Sequence, residues 1–305
     1  MSDFSKITRV PTAFEPDLGQ DALNVLPSLE GQQAELIYGA AGCSPYLKGL
    51  ILKEAKWLQG ALEGPDAAVA DLFEALPQID AKAMPAVLRE AKRRIALLTG
   101  LADLGGVWSL EKVTQVLTQF ADLAVNSALR TCIAAEIARG KLPGMTQDNI
   151  EDAGGMTVLA MGKMGAFELN YSSDIDLICL FDETRFEPDD FHDARSSFVR
   201  ATRRMAAMLN DLTGDGYVFR TDLRLRPDPG VTPVCMAMEA AERYYESLGR
   251  TWERAAYIKA RPCAGDITAG EGFLNTLTPF VWRKHLDFAA IQDAHDMRLR
   301  YREHK

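Results

Sequence analysis

Apolar residues recur at helical spacing along the first part of the chain. In the stretch 44–62, SPYLKGLILKEAKWLQGAL, they form one stripe along a helix, and Gly64 and Pro65 are expected to end it. Similar stripes predict two further helices, the second and longer of which begins after Ser109, a residue type that caps helix N-termini. We therefore expect residues 20–140 to be helical throughout.

The pattern changes near residue 155, where short apolar runs replace the helical spacing. The runs GMTVLAMGK (155–163) and IDLICLF (175–181) predict two strands, the second of them buried on both faces. A helix is predicted over 189–213. The segment YVFRTDLRLRP (217–227) then alternates polar and apolar residues, which predicts a third strand that ends at its proline. Further helical stretches complete the chain.

This order of elements predicts an α+β fold, in which a small sheet flanked by helices follows an all-helical region. We predict a helical N-terminal region over 1–150, a domain that carries the strands over 151–275, and the start of a further helical region over 276–305. The last segment contains no helix stop signal. We therefore expect the sequence to be part of a longer chain.

Composition narrows the classes of protein to consider. The 305 residues are 47% hydrophobic and carry a formal net charge of -9. A globular protein of this charge is not expected to bind nucleic acid broadly, since such binding needs a basic surface. The five cysteines form no CxxC pair, and no stretch reaches the about 18 apolar residues that a membrane span needs. We expect a cytoplasmic protein with reduced, buried thiols and no membrane partner.

Two aspartates lie in the second predicted strand, directly after a glycine-rich turn. Side chains two apart on a strand share a face, so Asp174 and Asp176 project together and repel each other. An oxygen-bound divalent cation such as Mg²⁺ relieves this repulsion. Taken alone, an Asp-x-Asp pair more often marks a solvent-exposed strand end. The surroundings favour a site, because the chain also supplies a flexible turn, a positive charge and two hydroxyls, at Gly162, Gly165, Lys163, Ser172 and Ser173.

The third predicted strand offers a further carboxylate and two guanidinium groups on one face, from Asp222, Arg224 and Arg226. Taken alone, these residues could equally form a salt-bridge ladder. Together with the first two aspartates, Asp222 becomes the natural third metal ligand, and the arginines become candidates to bind phosphate oxygens. A glycine turn with carboxylates on two strands is the layout of a two-metal site for nucleotidyl transfer.

The stretch GKMGAFELNYSSDIDLICLF (162–181) resembles the nucleotidyltransferase motif of the bifunctional glutamine synthetase adenylyltransferase/adenylyl-removing enzyme family, within the DNA polymerase beta-like superfamily. The resemblance continues through VFRTDLRLRPDPG and YYESLGRTWERAAYIKARPCAGD, and covers about two-thirds of the chain. It departs from the family pattern at Met164, Ala166 and Phe167, where no carboxylate is involved. The resemblance implies a polymerase beta-like catalytic domain with a small mixed sheet over 151–275.

Members of this family carry two such domains, one that removes AMP from glutamine synthetase by phosphorolysis and one that attaches it from ATP. The segment GRTWERAAYIKARP resembles the adenylyl-removing copy. The resemblance implies that Asp174, Asp176 and Asp222 hold two Mg²⁺ ions. It also implies that the nucleotide phosphate is faced by Gly162, Lys163, Ser172 and Ser173. It also implies glutamine synthetase as protein substrate, ADP or ATP and phosphate as ligands, and a PII-type signalling protein as a partner of the full-length member.

Three alternatives remain open from the sequence. The same layout serves an adenylyl-attaching enzyme that uses ATP, or a uridylyl-transferring relative. A degenerate module that only binds a nucleotide or a regulator is also compatible with the motif, although the presence of all three carboxylates weighs against it.

Overall fold

The computed structural model describes residues 4–282 and, beyond them, Gln292, His295 and Leu299. The helices are α1 (Pro16–Asn24), α2 (Gly31–Cys43), α3 (Pro45–Ala61), α4 (Pro65–Ala75), α5 (Met84–Leu104), α6 (Leu110–Ala138), α7 (Gly162–Gly165), α8 (Phe191–Asn210), α9 (Met238–Ser247), α10 (Thr251–Tyr257), α11 (Ile267–Thr276) and α12 (Thr278–Val281). The strands are β1 (Met156–Ala160), β2 (Ile175–Phe181), β3 (Thr221–Asp222), β4 (Cys235–Ala237) and β5 (Arg261–Gly265). The chain is thus α+β, as predicted.

The chain divides into two compact units. The first comprises residues 1–124, 167–173 and 212–218, and the second comprises 125–166, 174–211 and 219–305. The division falls inside the long helix α6. The predicted limits at 150 and 275 therefore stay a prediction.

The first unit is built from helices α1 to α5 and the first half of α6. The predicted apolar stripe of α3 is buried, and the Ser44 side chain caps its N-terminus by accepting the Leu47 backbone N–H. Buried Glu54 on α3 accepts hydrogen bonds from Arg93 and Arg94 on α5, at 2.9 Å each. A charge-paired carboxylate thus joins the two helices.

The second unit contains a five-stranded mixed sheet in the order β3-β2-β1-β5, with β4 also paired to β2. Strand β2 is antiparallel to β1, with Ala160 opposite Leu177. Its other edge pairs in parallel with β3 at its start and with β4 at its end, where Cys179 lies opposite Cys235. The central strand is therefore paired on both edges, which explains its nearly continuous apolar sequence.

Helices cover both faces of this sheet. On one face, Phe181 of β2 stacks on Phe198 of α8 with ring centroids 4.8 Å apart. The other face belongs to an apolar cluster that contains Ile178 and Leu180 of β2 together with Tyr245 and Tyr257 of α9 and α10. The sheet is consequently a rigid, buried platform, and only its ends offer side chains to solvent.

Three sequence predictions need correction or fall outside the described residues. The third strand is not 217–227 but only Thr221–Asp222, after which the chain turns. The predicted region 276–305 lies mostly among residues 283–305, of which the structure describes three. All five cysteines are free thiols, but Cys43 is exposed rather than buried. No helix in the described part of the chain combines the length and apolar character needed to cross a membrane.

Candidate active site

Two of the predicted aspartates face each other at the edge of the sheet. Asp176 on β2 and Asp222 on β3 are register partners in a parallel pair of strands, so their side chains leave the sheet on the same side. The backbone N–H of Met161 donates to the carbonyl oxygen of Asp176 at 2.9 Å, which fixes this end of β2 against the residue that follows β1. Register pairing thus holds two carboxylates together across some forty residues of sequence.

The third aspartate lies just outside the strand. Asp174 precedes β2 by one residue, and its side chain is 54% exposed rather than part of a buried strand as predicted. Its Oδ1 accepts a short hydrogen bond from Nε of Arg220, the residue before β3. The backbone repeats this link, since the N–H of Ile175 donates to the Arg220 carbonyl at 2.9 Å. Asp174 is therefore held beside β3 by side chain and backbone alike.

The electrostatics of Asp176 reflect this concentration of charge. Its pKa is raised from the ordinary value, first because the carboxylate is partly desolvated, and further because Asp222 and Asp174 are close enough to repel it; Arg224 opposes the shift. In contrast, the Arg224 guanidinium lowers the pKa of Asp222. Asp176 is thus the carboxylate with the least positive compensation of the three.

A tight turn at the end of β1 approaches the same carboxylate. Gly162 begins the single-turn helix α7 with φ +56°, a conformation that favours glycine, and a Cβ there would lie 3.4 Å from Oδ2 of Asp176. A Cβ on Gly165 would lie 1.7 Å from the carbonyl oxygen of Lys259, so only glycine fits this packing. The predicted turn residue Lys163 is exposed between them. The turn therefore brings backbone, not side chains, up to Asp176.

The two predicted phosphate-binding arginines differ in their surroundings. Arg224 donates from Nε and Nη2 to Oδ2 of Asp222, at 2.9 and 2.5 Å, and its side chain is 83% exposed. Arg226 instead donates to the carbonyl oxygens of the loop that follows β3, namely those of Leu223, Pro229 and Thr232. The expectation that both arginines share one strand face is wrong, because β3 ends at Asp222 and both arginines belong to the turn after it.

The predicted serines belong to the other compact unit, where Asn170 organises a short turn. The Ser173 hydroxyl donates to Oδ1 of Asn170 at 2.7 Å, and the backbone N–H of Ser172 donates to the same oxygen at 3.3 Å. The structure thus gives both serines a part in local turn geometry. Their role in binding phosphate stays a prediction.

Three hard carboxylate ligands with a net negative field suit a magnesium ion. Among the described residues, however, no group of three His, Cys, Asp or Glu side chains is arranged as a finished metal cage. In the structure, arginines donate to oxygens of Asp174 and Asp222. The donor set of three carboxylates fits Mg²⁺ in its chemistry.

The sequence prediction missed Arg220. This residue lies two positions before Asp222 in the alternating segment, as Arg224 lies two positions after it, so the same parity that selected Arg224 also applies to Arg220. Its ion pair with Asp174 connects the start of β2 to the start of β3.

Known proteins resemble this chain over most of its length. Residues 34–276 match the family described as Glutamate-ammonia ligase adenylyltransferase. A protein from Bradyrhizobium sp. named bifunctional glutamine synthetase adenylyltransferase/adenylyl-removing enzyme is 46% identical over 97% of this chain and 32% of its own length. Proteins of the same name from Bradyrhizobium diazoefficiens and Caulobacter vibrioides are 50% and 45% identical, over 86% and 96% of this chain. The chain spans 27% and 31% of those two relatives.

Proposed function

Because this chain belongs to the glutamate-ammonia ligase adenylyltransferase family, we propose that it is a nucleotidyltransferase that removes AMP from adenylylated glutamine synthetase by phosphorolysis. The observation that carries the proposal is the pairing of Asp176 with Asp222 across adjacent parallel strands. Asp174 is close enough to repel the Asp176 carboxylate as well. Repulsion within such a cluster of carboxylates opposes folding. A bound cation neutralises this repulsion, so the cluster suits a protein that binds a cation together with phosphate groups.

The reaction joins phosphate to the AMP group and releases the protein. An oxygen of inorganic phosphate attacks the phosphorus of AMP esterified to a tyrosine, the bond from phosphorus to the tyrosine oxygen breaks, and that oxygen leaves with the electron pair and takes a proton from solvent. The products are ADP and unmodified glutamine synthetase. Two Mg²⁺ ions, bound by Asp174, Asp176 and Asp222, would stabilise charge on the attacking and leaving oxygens.

The chain's own groups align the phosphates for this displacement. The turn at Gly162 allows a phosphate to approach the backbone beside Asp176, since no side chain intervenes. Exposed Lys163 on the same turn adds a positive charge for the nucleotide. The guanidiniums of Arg220 and Arg224, at the carboxylates themselves, are suited to bind phosphate oxygens in pairs. Alignment of the phosphates and stabilisation of their negative charge are sufficient for this displacement, and no covalent enzyme intermediate is required.

The fold and partners follow from the same proposal. We propose a polymerase beta-like arrangement for the second unit, supported by the mixed sheet that carries Asp176 and Asp222 on neighbouring strands. Glutamine synthetase is the proposed protein substrate because the relatives are named for acting on it. A PII-type regulator of the longer protein is a proposal that rests on the sequence resemblance alone. A cytoplasmic location is a proposal that rests on the pattern of the cysteines.

The decisive experiment supplies the purified chain with AMP-modified glutamine synthetase, phosphate and Mg²⁺, and measures ADP. The wild-type chain should release ADP, and Asp174→Asn should not, although its circular dichroism and thermal unfolding are unchanged because the side chain is exposed. Asp193→Asn is the matched control, since it removes an exposed carboxylate in the first turn of α8, where Phe191 packs against Phe181 at the opposite end of β2 from Asp174. Undiminished ADP release by Asp174→Asn would contradict the assigned role of this residue.

Parallel reactions distinguish the alternatives. Labelled ATP with unmodified glutamine synthetase tests for the adenylyl-attaching direction, and labelled UTP tests for a uridylyl-transferring relative. Incorporation of either label without ADP release from the modified protein would show that the chain attaches a nucleotide rather than removing AMP. Nucleotide binding without turnover in any of the three reactions would instead identify a binding module.

A further inference from the structure

Two of the three candidate metal ligands are held by arginines. Arg224 makes a two-pronged contact with Asp222, in which Nε lies 3.0 and 2.9 Å from the two carboxylate oxygens and Nη2 lies 2.5 Å from Oδ2. Arg220 donates through Nε to Oδ1 of Asp174. Asp176 lies opposite Asp222 in the register of β2 and β3. Arg220 and Arg224 thus each hold one of the other two candidate ligands.

These contacts and a metal ion need the same oxygens. A divalent cation binds carboxylate lone pairs at short distance, and a guanidinium that donates to both oxygens of a carboxylate covers those lone pairs from one side. The cation also repels the guanidinium's charge. Binding of Mg²⁺ by Asp222 is therefore expected to displace Arg224, and binding by Asp174 to displace Arg220.

We propose that Arg220 and Arg224 are exchangeable counter-ions, which leave Asp174 and Asp222 when a divalent cation binds and then hold the oxygens of the attacking phosphate. The inference rests on the metal site and the phosphate-binding arginines of the proposed function, and it adds the exchange of these arginines between carboxylate and phosphate. Arg226 does not take this part, because its guanidinium is fixed by three carbonyl oxygens of the loop after β3.

The surroundings of the two arginines permit this exchange. The Arg224 side chain is 83% exposed, so its rotation breaks no packing, while its backbone N–H stays bound to Oδ1 of Asp222 at 2.8 Å. Arg220 is about half exposed. Each released guanidinium remains tethered beside the carboxylates and presents two parallel N–H groups, which is the geometry that phosphate oxygens accept.

Competition of this kind has a measurable signature. If a guanidinium must leave before the cation binds, its removal tightens cation binding by the free energy of the lost ion pair. For exposed pairs this amounts to about two- to fivefold in the dissociation constant. The same substitution weakens phosphate binding, because the group that would hold the anion is gone. A structural arginine away from the site would leave both affinities unchanged, and a general effect of charge is separated by a lysine variant, which keeps the charge.

The test measures Mn²⁺ binding to the chain by electron paramagnetic resonance, and then binding of inorganic phosphate to the Mn²⁺-saturated protein by equilibrium dialysis. Arg224→Gln and Arg220→Gln should tighten Mn²⁺ about two- to fivefold and weaken phosphate binding. Arg224→Lys keeps the charge but loses the two-pronged contact, so its affinities for Mn²⁺ and for phosphate should lie between those of Arg224→Gln and wild type. Arg243→Gln is the matched control, since Arg243 is an exposed arginine on α9 that pairs with Glu239.

The possible outcomes separate this inference from the proposed function. If Asp174→Asn abolishes Mn²⁺ binding but Arg224→Gln and Arg220→Gln bind Mn²⁺ as wild type does, the metal site stands and the exchange is overturned. If Arg224→Lys behaves as wild type and only Arg224→Gln binds tighter, general charge and not displacement is responsible, which also overturns it. If Asp174→Asn binds Mn²⁺ like wild type, the metal site itself fails and the inference fails with it.

Discussion

Asp176 and Asp222 occupy facing positions on two adjacent parallel strands, although they are far apart in sequence. Neighbouring strands lie about 4.8 Å apart, so like charges at facing positions oppose folding. The structure places Arg224 on Asp222 but leaves Asp176 with a raised pKa. The facing carboxylates therefore lower the stability of the fold locally and form a cluster of negative charge that can bind a cation.

Asp176→Asn tests this trade between stability and metal binding. In buffer without divalent cations, removal of the repelled charge should raise the free energy of unfolding by up to about 1 kcal/mol, a small value because solvent screens a half-buried group. Millimolar Mg²⁺ should stabilise the wild-type chain by mass action and leave the variant unchanged, so that the order of stabilities reverses. Urea denaturation with and without MgCl₂ measures both effects. Equal stabilisation of both proteins by Mg²⁺ would contradict the assignment of Asp176 as a ligand.

Local patterns predicted most of the fold. The stripes of α3, α5 and α6 and the apolar runs of β1 and β2 are recorded in residues that are close in sequence, and the structure confirms them. The strand predicted over 217–227 is shorter because a strand also needs a free edge to pair with. Beyond Asp176, the edge of β2 that receives β3 goes on to pair with β4, so the chain after Asp222 turns away. Alternation of polar and apolar residues in the sequence cannot reveal which edge of β2 is already paired with another strand.

That the three aspartates lie near one another was also predictable, but their pairing with arginines was not. Spacing placed Asp174 and Asp176 on one side and selected Asp222 as their partner, and the register of β2 and β3 agrees for Asp176. Which arginine meets which carboxylate depends on where β3 begins and ends. Arg220 precedes the strand and reaches Asp174, whereas Arg226 follows it and turns to backbone carbonyls. These are consequences of a turn that has no periodic signal.

Gly165→Ala should destabilise the fold through the turn after β1. The added Cβ would lie 1.7 Å from the Lys259 carbonyl oxygen and 2.7 Å from that of Ala160, and both are backbone atoms that cannot rotate away. We expect the free energy of unfolding to fall by about 2–3 kcal/mol. Gly49→Ala on α3 is the control, since a Cβ there meets nothing within 4 Å and should stabilise the helix. A similar effect of both substitutions on chemical denaturation would contradict the close packing at Gly165.

Arg226→Met separates a structural arginine from a phosphate-binding one. Loss of the hydrogen bonds to the loop carbonyls should lower the free energy of unfolding by about 1–3 kcal/mol and reduce kcat, with little change in KM for phosphate. Arg224→Met should leave the stability nearly unchanged and raise KM for phosphate, because its side chain is exposed. Phosphorolysis kinetics and thermal denaturation of the two variants provide the comparison. A raised KM for phosphate in Arg226→Met would restore this residue as a phosphate ligand.

Glu253 on α10 gives a prediction for the dependence of stability on pH. The residue is 2% exposed, and its Oε2 accepts the Arg250 backbone N–H at 2.8 Å while Oε1 has no hydrogen-bond partner. Desolvation raises its pKa. The folded chain therefore holds the proton more tightly than the unfolded chain does, so this group lowers stability as pH rises from the unfolded pKa to the folded one. The penalty is complete above the folded pKa and absent below the unfolded one.

Glu253→Gln removes the titrating charge and keeps an oxygen that can accept the Arg250 N–H. The variant should gain stability relative to wild type at neutral pH, by up to about 1 kcal/mol, and lose this advantage at about pH 4, below the unfolded pKa of glutamate of about 4.3. Glu253→Ala, which also removes the acceptor at the start of α10, should be less stable than Glu253→Gln by about 1 kcal/mol at both pH values. Urea denaturation at the two pH values gives the four differences that are needed. An advantage of Glu253→Gln that does not change with pH would show that packing, and not the desolvated carboxylate, decides the stability at this position.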